Sequence, residues 1–214
     1  MTAMNDTQGA HLPHPHHLSW PREVAGKGGE KFILRPAQES DFGPLRAFFG
    51  DLPRGDRLFM QDDVSRNSQL FDRLLMESLH RERTLRLLAL KDGLIVGHGL
   101  LEASSHLWSR HVGEVRVSVR EEFRHRRLGT MILRELVDQA EIMGFDKLFV
   151  RLMDTQFAAR KMCEDAGFSL EAELKNHVKD LDGNKHSMLI LSSALDEAWH
   201  AMELLLDDVA PWTM

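Results

Sequence analysis

Hydrophobic residues recur along this chain at spacings that favour a mixed α/β fold. Alternating or continuous apolar runs predict strands at residues 32–35, 84–90, 94–101, 111–119 and 148–153. Apolar residues three and four positions apart predict helices at 41–49, 65–80, 128–143 and 156–166. A hairpin with its turn at 182–184 completes the order βααβββαβαββ, and an amphipathic helix follows from 193 to 206. This order predicts an α/β (α+β) architecture with one mixed sheet flanked by helices.

The two ends of the chain differ from its middle. Residues 1–30 combine His, Pro and Gly without strand or helix periodicity, so we interpret them as a flexible extension. Histidines in such a tail are typical of weak, unspecific metal affinity, and we predict no metal site from His11, His14, His16 and His17. The predicted folded domain spans 31–192, followed by the amphipathic helix and tail at 193–214.

The composition of the chain argues against several classes of protein. The 214 residues carry 27 Lys and Arg against 33 Asp and Glu, a formal net charge of −6, whereas a nucleic-acid binder normally shows the opposite excess. No apolar run approaches the length of a membrane span, and the first 30 residues lack the pattern of a secretory signal. The single cysteine excludes an intramolecular disulfide. We therefore expect a cytoplasmic protein whose partners include neither nucleic acid nor membrane.

One strand and the loop after it carry most of the candidate chemistry. Residues 113–119 alternate strictly, which separates a core face from an opposite face: Val115, Val117 and Val119 against Glu114, Arg116 and Ser118. The strand leads into the basic loop 120–127, which opens directly into the helix predicted from Leu128. Unpaired amides and the helix dipole both favour an anion at a helix start. A phosphate or pyrophosphate site is therefore predicted at 128–131.

Three segments resemble the GNAT superfamily of N-acetyltransferases. The stretch Arg124-His125-Arg126-Arg127-Leu128-Gly129 resembles the Arg/Gln-x-x-Gly-x-Gly/Ala motif, which cradles the pyrophosphate of acetyl-CoA in that family. Residues 156–168 resemble the family's Asn-x-x-Ala-x-x-Leu-Tyr-Glu-x-x-Gly-Phe helix, with matches at Ala159, Glu164, Gly167 and Phe168. Residues 174–191 resemble its closing hairpin. The resemblance covers residues 32–191 and implies a mostly antiparallel central sheet.

Arg127 departs from the motif, because the family carries glycine at this position. A Cβ there restricts the backbone and crowds an approaching phosphate. Either the loop keeps its conventional path and Arg127 points outward to reach a phosphate of CoA, or the nucleotide site has been lost. The agreement of the flanking segments favours the first interpretation.

The resemblance implies an enzyme that transfers an acetyl group from acetyl-CoA to a primary amine by direct attack. It implies cofactor contacts from the loop, the first helical turn and the later helix: Arg124, His125, Arg126, Arg127, Leu128, Gly129, Thr130 and Gln156. It also implies that the backbone of Val117 and Val119 pairs with the pantetheine arm as an added strand would. The alternative is a non-catalytic module that binds acyl-CoA or a partner protein on the same fold.

Two residues are candidates for proton transfer. Glu114 stands where phosphinothricin-type acetyltransferases, a branch of the family, carry their proposed base, yet it equally fits a solvated strand residue paired with Arg116 or His98. The chain contains no tyrosine, so the tyrosine acid of many family members is excluded, and Cys163 occupies that position. Cys163 either donates a proton to the CoA thiolate or packs as a small hydrophobe, in which case water serves instead.

Acceptor recognition is predicted in the early helices and in the loop 52–64. Four acidic residues there either attract a cationic amine or act as helix caps and turn residues: Asp51, Asp56, Asp62 and Asp63. The sequence leaves the acceptor open among polyamines, aminoglycosides, amino acids, protein N-termini and lysines. The terminal helix permits a homodimer.

Overall fold

The computed structural model describes residues 19–57, 68–104 and 106–207. The strands within them are β1 (Arg22–Ala25), β2 (Lys31–Pro36), β3 (Thr84–Lys91), β4 (Leu94–Ala103), β5 (Val112–Val119), β6 (Lys147–Met153), β7 (Ser169–Lys179) and β8 (Lys185–Ala194). The α-helices are α1 (Phe42–Gly50), α2 (Arg54–Arg57), α3 (Ser68–His80), α4 (Leu128–Ile142), α5 (Phe157–Asp165) and α6 (Leu195–Asp207). Four features of the sequence predictions lie outside the described residues: the histidine tail up to 18, Asp62 with Asp63, the helix start at 65, and the tail after 207.

The described strands form one mixed sheet in the order β1-β2-β3-β4-β5-β6-β8-β7. Each neighbouring pair is antiparallel except β5 with β6, which is parallel. Helices cover both faces of this sheet, so the predicted α/β (α+β) architecture with a mostly antiparallel sheet is confirmed. The predicted elements occur in the predicted order, and β1 and α2 are present in addition.

The prediction that residues 1–30 form only a flexible extension is wrong for the segment 22–25. This segment is β1, which pairs antiparallel with β2 at the edge of the sheet. Val24 is buried in the core between the sheet and α4, and Arg22 Nη1 lies 2.8 Å from Glu135 Oε1 of α4. A four-residue strand with one buried side chain has too short a hydrophobic pattern to be recognised in the sequence.

Two apolar cores lie on opposite faces of the sheet. The larger core joins the sheet to α4, α5 and α6, and the smaller core joins β3 and β4 to α1 and α3. Gly97 and Gly99 of β4 allow α4 to approach closely, because a Cβ at either position would lie within 2.7 Å of the Ile132 side chain. That side chain is fully buried and has no space to move. The two glycines thereby fix the position of α4 against the middle of the sheet.

α6 belongs to the folded domain rather than to a separate tail. Ala198 and Met202 of this helix are buried in the larger core. Gly167, which follows α5, approaches α6 so closely that a Cβ there would lie 2.9 Å from Ala201 Cβ. The predicted amphipathic helix is therefore present, beginning at Leu195, and the homodimer stays a prediction. Across the described ranges, no helix is both long and apolar enough to cross a membrane.

Glu135 of α4 makes the stability of the fold depend on pH. It is 3% exposed, and burial raises its pKa to about 7. Between the usual glutamate pKa of 4.5 and this raised value, the folded state keeps the proton of Glu135, whereas an unfolded glutamate has lost it. The contribution of Glu135 to the free energy of unfolding is therefore fully present below about pH 4.5. It falls by about 3 kcal/mol in all as the pH rises through 7. We predict that Glu135→Gln removes most of this decrease in the free energy of unfolding, measured by urea unfolding between pH 5 and 8. Glu203→Gln, an exposed change on α6, is the control, and an unaltered decrease in Glu135→Gln contradicts the prediction.

Candidate active site

β5 and β6 diverge after a short stretch of pairing. Among the described residues the pairing of β5 with β6 ends at Glu114, although both strands continue beyond this point. We call the space between residues 115–119 and 150–153 the wedge. The opposite edge of β5 stays paired with β4 up to Val119. The edge of β5 that faces the wedge, including Val117 and Val119, therefore offers backbone groups to an extended ligand.

The loop after β5 brings the start of α4 to the wedge. It turns through two residues with positive φ, His125 at 59° and Arg127 at 65°. Arg127 is the N-cap of α4, and its carbonyl accepts a hydrogen bond from the Met131 amide at 3.0 Å. An arginine has thus adopted the left-handed backbone that glycine reaches more easily. The turn forms despite the Cβ, which favours the conventional path over a lost nucleotide site.

Two arginines of the loop are bound by acidic residues. Arg124 donates from Nε to the Val119 carbonyl at 3.2 Å, and its Nη2 contacts Asp56 of α2. Arg126 donates from Nη1 to Glu30 Oε2 at 2.7 Å. The Arg124 guanidinium therefore lies at the end of β5, and each of the two guanidiniums has a carboxylate partner that a phosphate would have to replace or join.

His125 and Arg127 are both exposed, and Arg127 borders an open cavity. The cavity has a volume of about 300 Å³ and is lined by residues of α4, α5 and α6: Arg127, Thr130, Ala158, Lys161, Met162, Asp165 and Leu205. Helix geometry leaves the first amides of α4 without carbonyl partners in the helix. Arg127, the Thr130 hydroxyl and the first amides of α4 thus lie at one side of a space that is suited to an anion. The Asp165 carboxylate on the other side of this space is paired with Lys161.

Gly129 marks the point where α4, α5 and β5 meet. A Cβ there would lie 3.1 Å from Met162 Sδ, 3.8 Å from Val119 Cγ2 and 4.0 Å from Val117 Cγ1. The side chain of Leu128 is buried in the core, so only its backbone can serve a ligand. The structure therefore brings the predicted loop, the first turn of α4 and the edge of β5 together at one place.

Gln156 supports the other wall of the wedge. It is the N-cap of α5, and its Oε1 accepts a hydrogen bond from the Met153 amide at 2.8 Å. The side chain is therefore occupied in joining the end of β6 to α5. Its predicted contact with the cofactor is untested.

Cys163 is unsuited to proton transfer. It is 3% exposed within the larger core, so neither solvent nor the wedge reaches its thiol readily. Burial, with a contribution from Glu164, raises its pKa to about 12. A thiol this weak donates a proton unfavourably to a CoA thiolate, whose own pKa is about 8.5. We therefore correct the sequence interpretation: Cys163 fits the small buried hydrophobe and not the acid.

Glu114 lies at the apex of the wedge, held between two arginines. Arg116 Nε donates to Glu114 Oε1 at 2.9 Å, and Arg151 Nε donates to the same oxygen at 3.1 Å. Arg151 is on β6, so this contact crosses from one wall of the wedge to the other. Burial alone would raise the pKa of Glu114, but the hydrogen bonds from the arginines outweigh it and hold the pKa below its ordinary value. The carboxylate is therefore ionised and weakly basic.

Arg151 was missed by the sequence reasoning. A single charged residue within the otherwise apolar strand 148–153 was the available signal, because such a residue requires a partner or a function. His98, one of the two partners considered for Glu114, instead lies opposite Ser118 in the sheet; it is 3% exposed and accepts a hydrogen bond from Arg86 at 3.0 Å. Burial, reinforced by Arg86 and Arg116, lowers the pKa of His98 well below its usual value. His98 is neutral and enclosed.

The acidic residues predicted to attract an amine are engaged with arginines. Asp51 Oδ2 lies 3.1 Å from Arg120 Nη2, and Asp56 contacts Arg124. α2 carries Asp56 and also Arg54, which contacts Asp182 in the β7–β8 turn. α2 therefore joins the loop 120–127 to the β7–β8 hairpin instead of presenting unpaired carboxylates to an acceptor.

Residues 52–168 match the family model described as Acetyltransferase (GNAT) family, which is more than half of the chain. The chain belongs to the GNAT acetyltransferase family. The matched range contains the wedge, the loop and α4. Membership of this family supports the interpretation of this chain as an acyltransferase. Among curated proteins, no significant sequence match to this GNAT chain is found.

Solved structures share the fold of this GNAT chain at low sequence identity. A GNAT-family acetyltransferase from Streptococcus pneumoniae is 19% identical, with 76% of this chain and 99% of that one covered and a TM-score of 0.67. Ribosomal-protein-alanine N-acetyltransferase from Brucella melitensis is 21% identical, with coverages of 75% and 98% and a TM-score of 0.67. A protein from Salmonella typhimurium, solved with its cofactor acetyl-CoA, is 16% identical, with coverages of 78% and 96% and a TM-score of 0.67.

Proposed function

We propose that this GNAT chain transfers the acetyl group of acetyl-CoA to a primary amine by direct attack. The observation that carries the proposal is the meeting of the β5 edge that faces the wedge with the first turn of α4 at Gly129, next to the exposed N-cap residue Arg127. The Salmonella typhimurium structure that contains acetyl-CoA shares the fold and supports acetyl-CoA as the co-substrate.

The pyrophosphate is proposed to bind at the first turn of α4. Backbone amides at 128–130 provide donors there, and His125 with Arg127 lies exposed beside them. Arg124 and Arg126 would exchange their carboxylate partners for phosphate oxygens. The pantetheine arm would then extend along β5 and pair with the backbone of Val117 and Val119, which leads the thioester into the wedge.

The proposed chemistry needs little from side chains. The neutral amine nitrogen attacks the thioester carbon, and an N–C bond forms. The C–S bond breaks so that CoA leaves as a thiolate, and the nitrogen, which is positively charged after the attack, loses a proton to water. Because the pKa of such a thiol is about 8.5, the thiolate departs near neutral pH without a dedicated acid and is protonated by water. Holding the amine and the thioester together in the wedge supplies much of the acceleration.

Glu114 is proposed as a positioning residue and not as a base, which was one of its two interpretations from the sequence. Its lowered pKa and its bonds to Arg116 and Arg151 make it a weak proton acceptor. The proton of the amine is proposed to pass to water before attack. The value of kcat/KM should then rise about tenfold per pH unit until the pKa of the amine itself is reached.

Calorimetric titration with acetyl-CoA tests the proposal. We expect micromolar binding by the wild type, weakened at least about tenfold in Arg124→Ala and in Arg127→Ala, because each removes a charge-assisted contact with phosphate. Arg46→Ala is the matched control, since Arg46 binds Asp72 at 3.2 Å on the surface of α1 and α3. Absence of binding by the wild type overturns the proposal. Binding without thiol release in the presence of any amine supports the non-catalytic module instead.

A further inference from the structure

A row of alternating charges crosses the sheet at the apex of the wedge. Arg81 contacts Glu102, and Glu102 Oε2 lies 4.0 Å from Arg116 Nη2. Arg116 and Arg151 both bind Glu114, as described above. The row contains three arginines and two glutamates, so these five groups leave one positive charge in excess.

The two arginines nearest the wedge are open to a ligand, whereas the carboxylate between them is enclosed. The side chain of Glu114 is 10% exposed, but those of Arg116 and Arg151 are each 34% exposed. Arg116 extends from β5 and Arg151 from β6. Guanidinium groups therefore border the apex from both walls, and the buried Glu114 fixes their orientation.

We infer that Arg116 and Arg151 bind the carboxylate of the acceptor, and that the acceptor is an α-amino acid. The inference rests on the proposed acetyl transfer and names its substrate class. A guanidinium presents its N–H donors in a planar fork that matches a carboxylate, and two such groups on opposite walls can enclose one anion. The amino group is two bonds from the carboxylate carbon, so an amino acid held at the apex places its nitrogen in the wedge.

The charges elsewhere on the acceptor side agree with an anionic group in the ligand. Asp51, one of the acidic residues predicted to attract an amine, is bound by Arg120. A polyamine would bring additional positive charge against the arginine-rich apex, which is unfavourable in a partly enclosed site. An amino acid brings a carboxylate to balance the excess positive charge of the row.

Matched pairs of amines test the inference on the wild type. The common L-amino acids and their carboxamides are compared as acceptors by release of the CoA thiol, with acetyl-CoA binding measured separately by calorimetry. We expect at least one acid to exceed its amide in kcat/KM by at least about tenfold, since the amide loses a charge-assisted bond. Transfer to amides or polyamines only, or to none of the acids, overturns the inference. Failure to bind acetyl-CoA is the separate result that overturns the proposed function.

Variants of Arg151 test whether the preference for the acid over its amide depends on the proposed carboxylate site. We expect Arg151→Met to raise KM for the preferred acid at least about tenfold with little change for its amide, and Arg151→Lys to restore part of the difference. Arg46→Met is the control for removal of a surface arginine. If Arg151 has a purely structural role, Arg151→Met raises KM for the acid and for the amide equally. That result overturns the inference even if Arg151→Met is destabilised.

Discussion

Replacing Gly129 by tryptophan is expected to lower the affinity for acetyl-CoA at least about 100-fold while the protein stays folded. Gly129 lies in the first turn of α4, where a Cβ already comes within 4.0 Å of Met162, Val119 and Val117. An indole ring at this position must occupy the space between α4, α5 and the free edge of β5. That space is where the pyrophosphate and the upper pantetheine arm are proposed to bind.

Two further substitutions separate loss of the site from loss of the fold. Gly43→Trp is the matched control, because Gly43 is also in the first turn of a helix, is exposed, and has nothing within 4 Å of an added Cβ. Gly129→Ala should have a smaller effect, since only the flexible Met162 side chain must shift. Calorimetry measures the affinity and circular dichroism the fold. Wild-type affinity in a folded Gly129→Trp protein would place the cofactor elsewhere.

The fold and the location of the site were predictable from the sequence because both depend on local patterns. The strict alternation of residues 113–119, the basic loop and the amphipathic helix after it are each visible in a short window. The structure joins them as expected, with Arg127 at the N-cap of α4 and Gly129 in its first turn. The path of the backbone at Arg127 was predictable only from the agreement of the flanking segments, because whether a loop tolerates a left-handed arginine depends on the packing around the whole turn.

The errors concern contacts between residues that are distant along the chain. Glu114 was predicted to be a base or a solvated residue paired with Arg116 or His98. The pair with Arg116 is confirmed, but Glu114 is buried, and its properties also depend on Arg151, which lies 37 residues later on the facing strand. The two interpretations of Cys163 differ only in burial, which the one-dimensional pattern of α5 did not decide. Asp56 was predicted to attract an amine or to act as a cap or turn residue, whereas a long-range pair with Arg124 determines its environment. Local periodicity predicts elements, but the protonation state and availability of a side chain depend on its tertiary neighbours.

Replacing Glu114 by glutamine is the substitution that distinguishes positioning from base catalysis. We expect the free energy of unfolding to fall by about 2 kcal/mol, because two partly buried guanidiniums lose their shared carboxylate while one third of each remains solvated. We also expect KM for the acceptor to rise about tenfold, because Arg116 and Arg151 are no longer held at the apex. kcat should change less than about threefold, since no proton is proposed to pass through this carboxylate.

The control for this variant is Glu171→Gln on the same sheet. Glu171 binds Lys147 at 2.7 Å with its side chain 48% exposed, so its loss should change stability by no more than about 0.5 kcal/mol. Urea unfolding gives the stability, and kcat and KM are measured from pH 6 to 9. A base role predicts the opposite pattern: kcat falls at least about 100-fold in Glu114→Gln, and hydroxide or an added buffer base restores part of it. With positioning alone, the rise of kcat/KM with pH keeps the same slope in both proteins, because that slope reports the free-amine fraction of the acceptor.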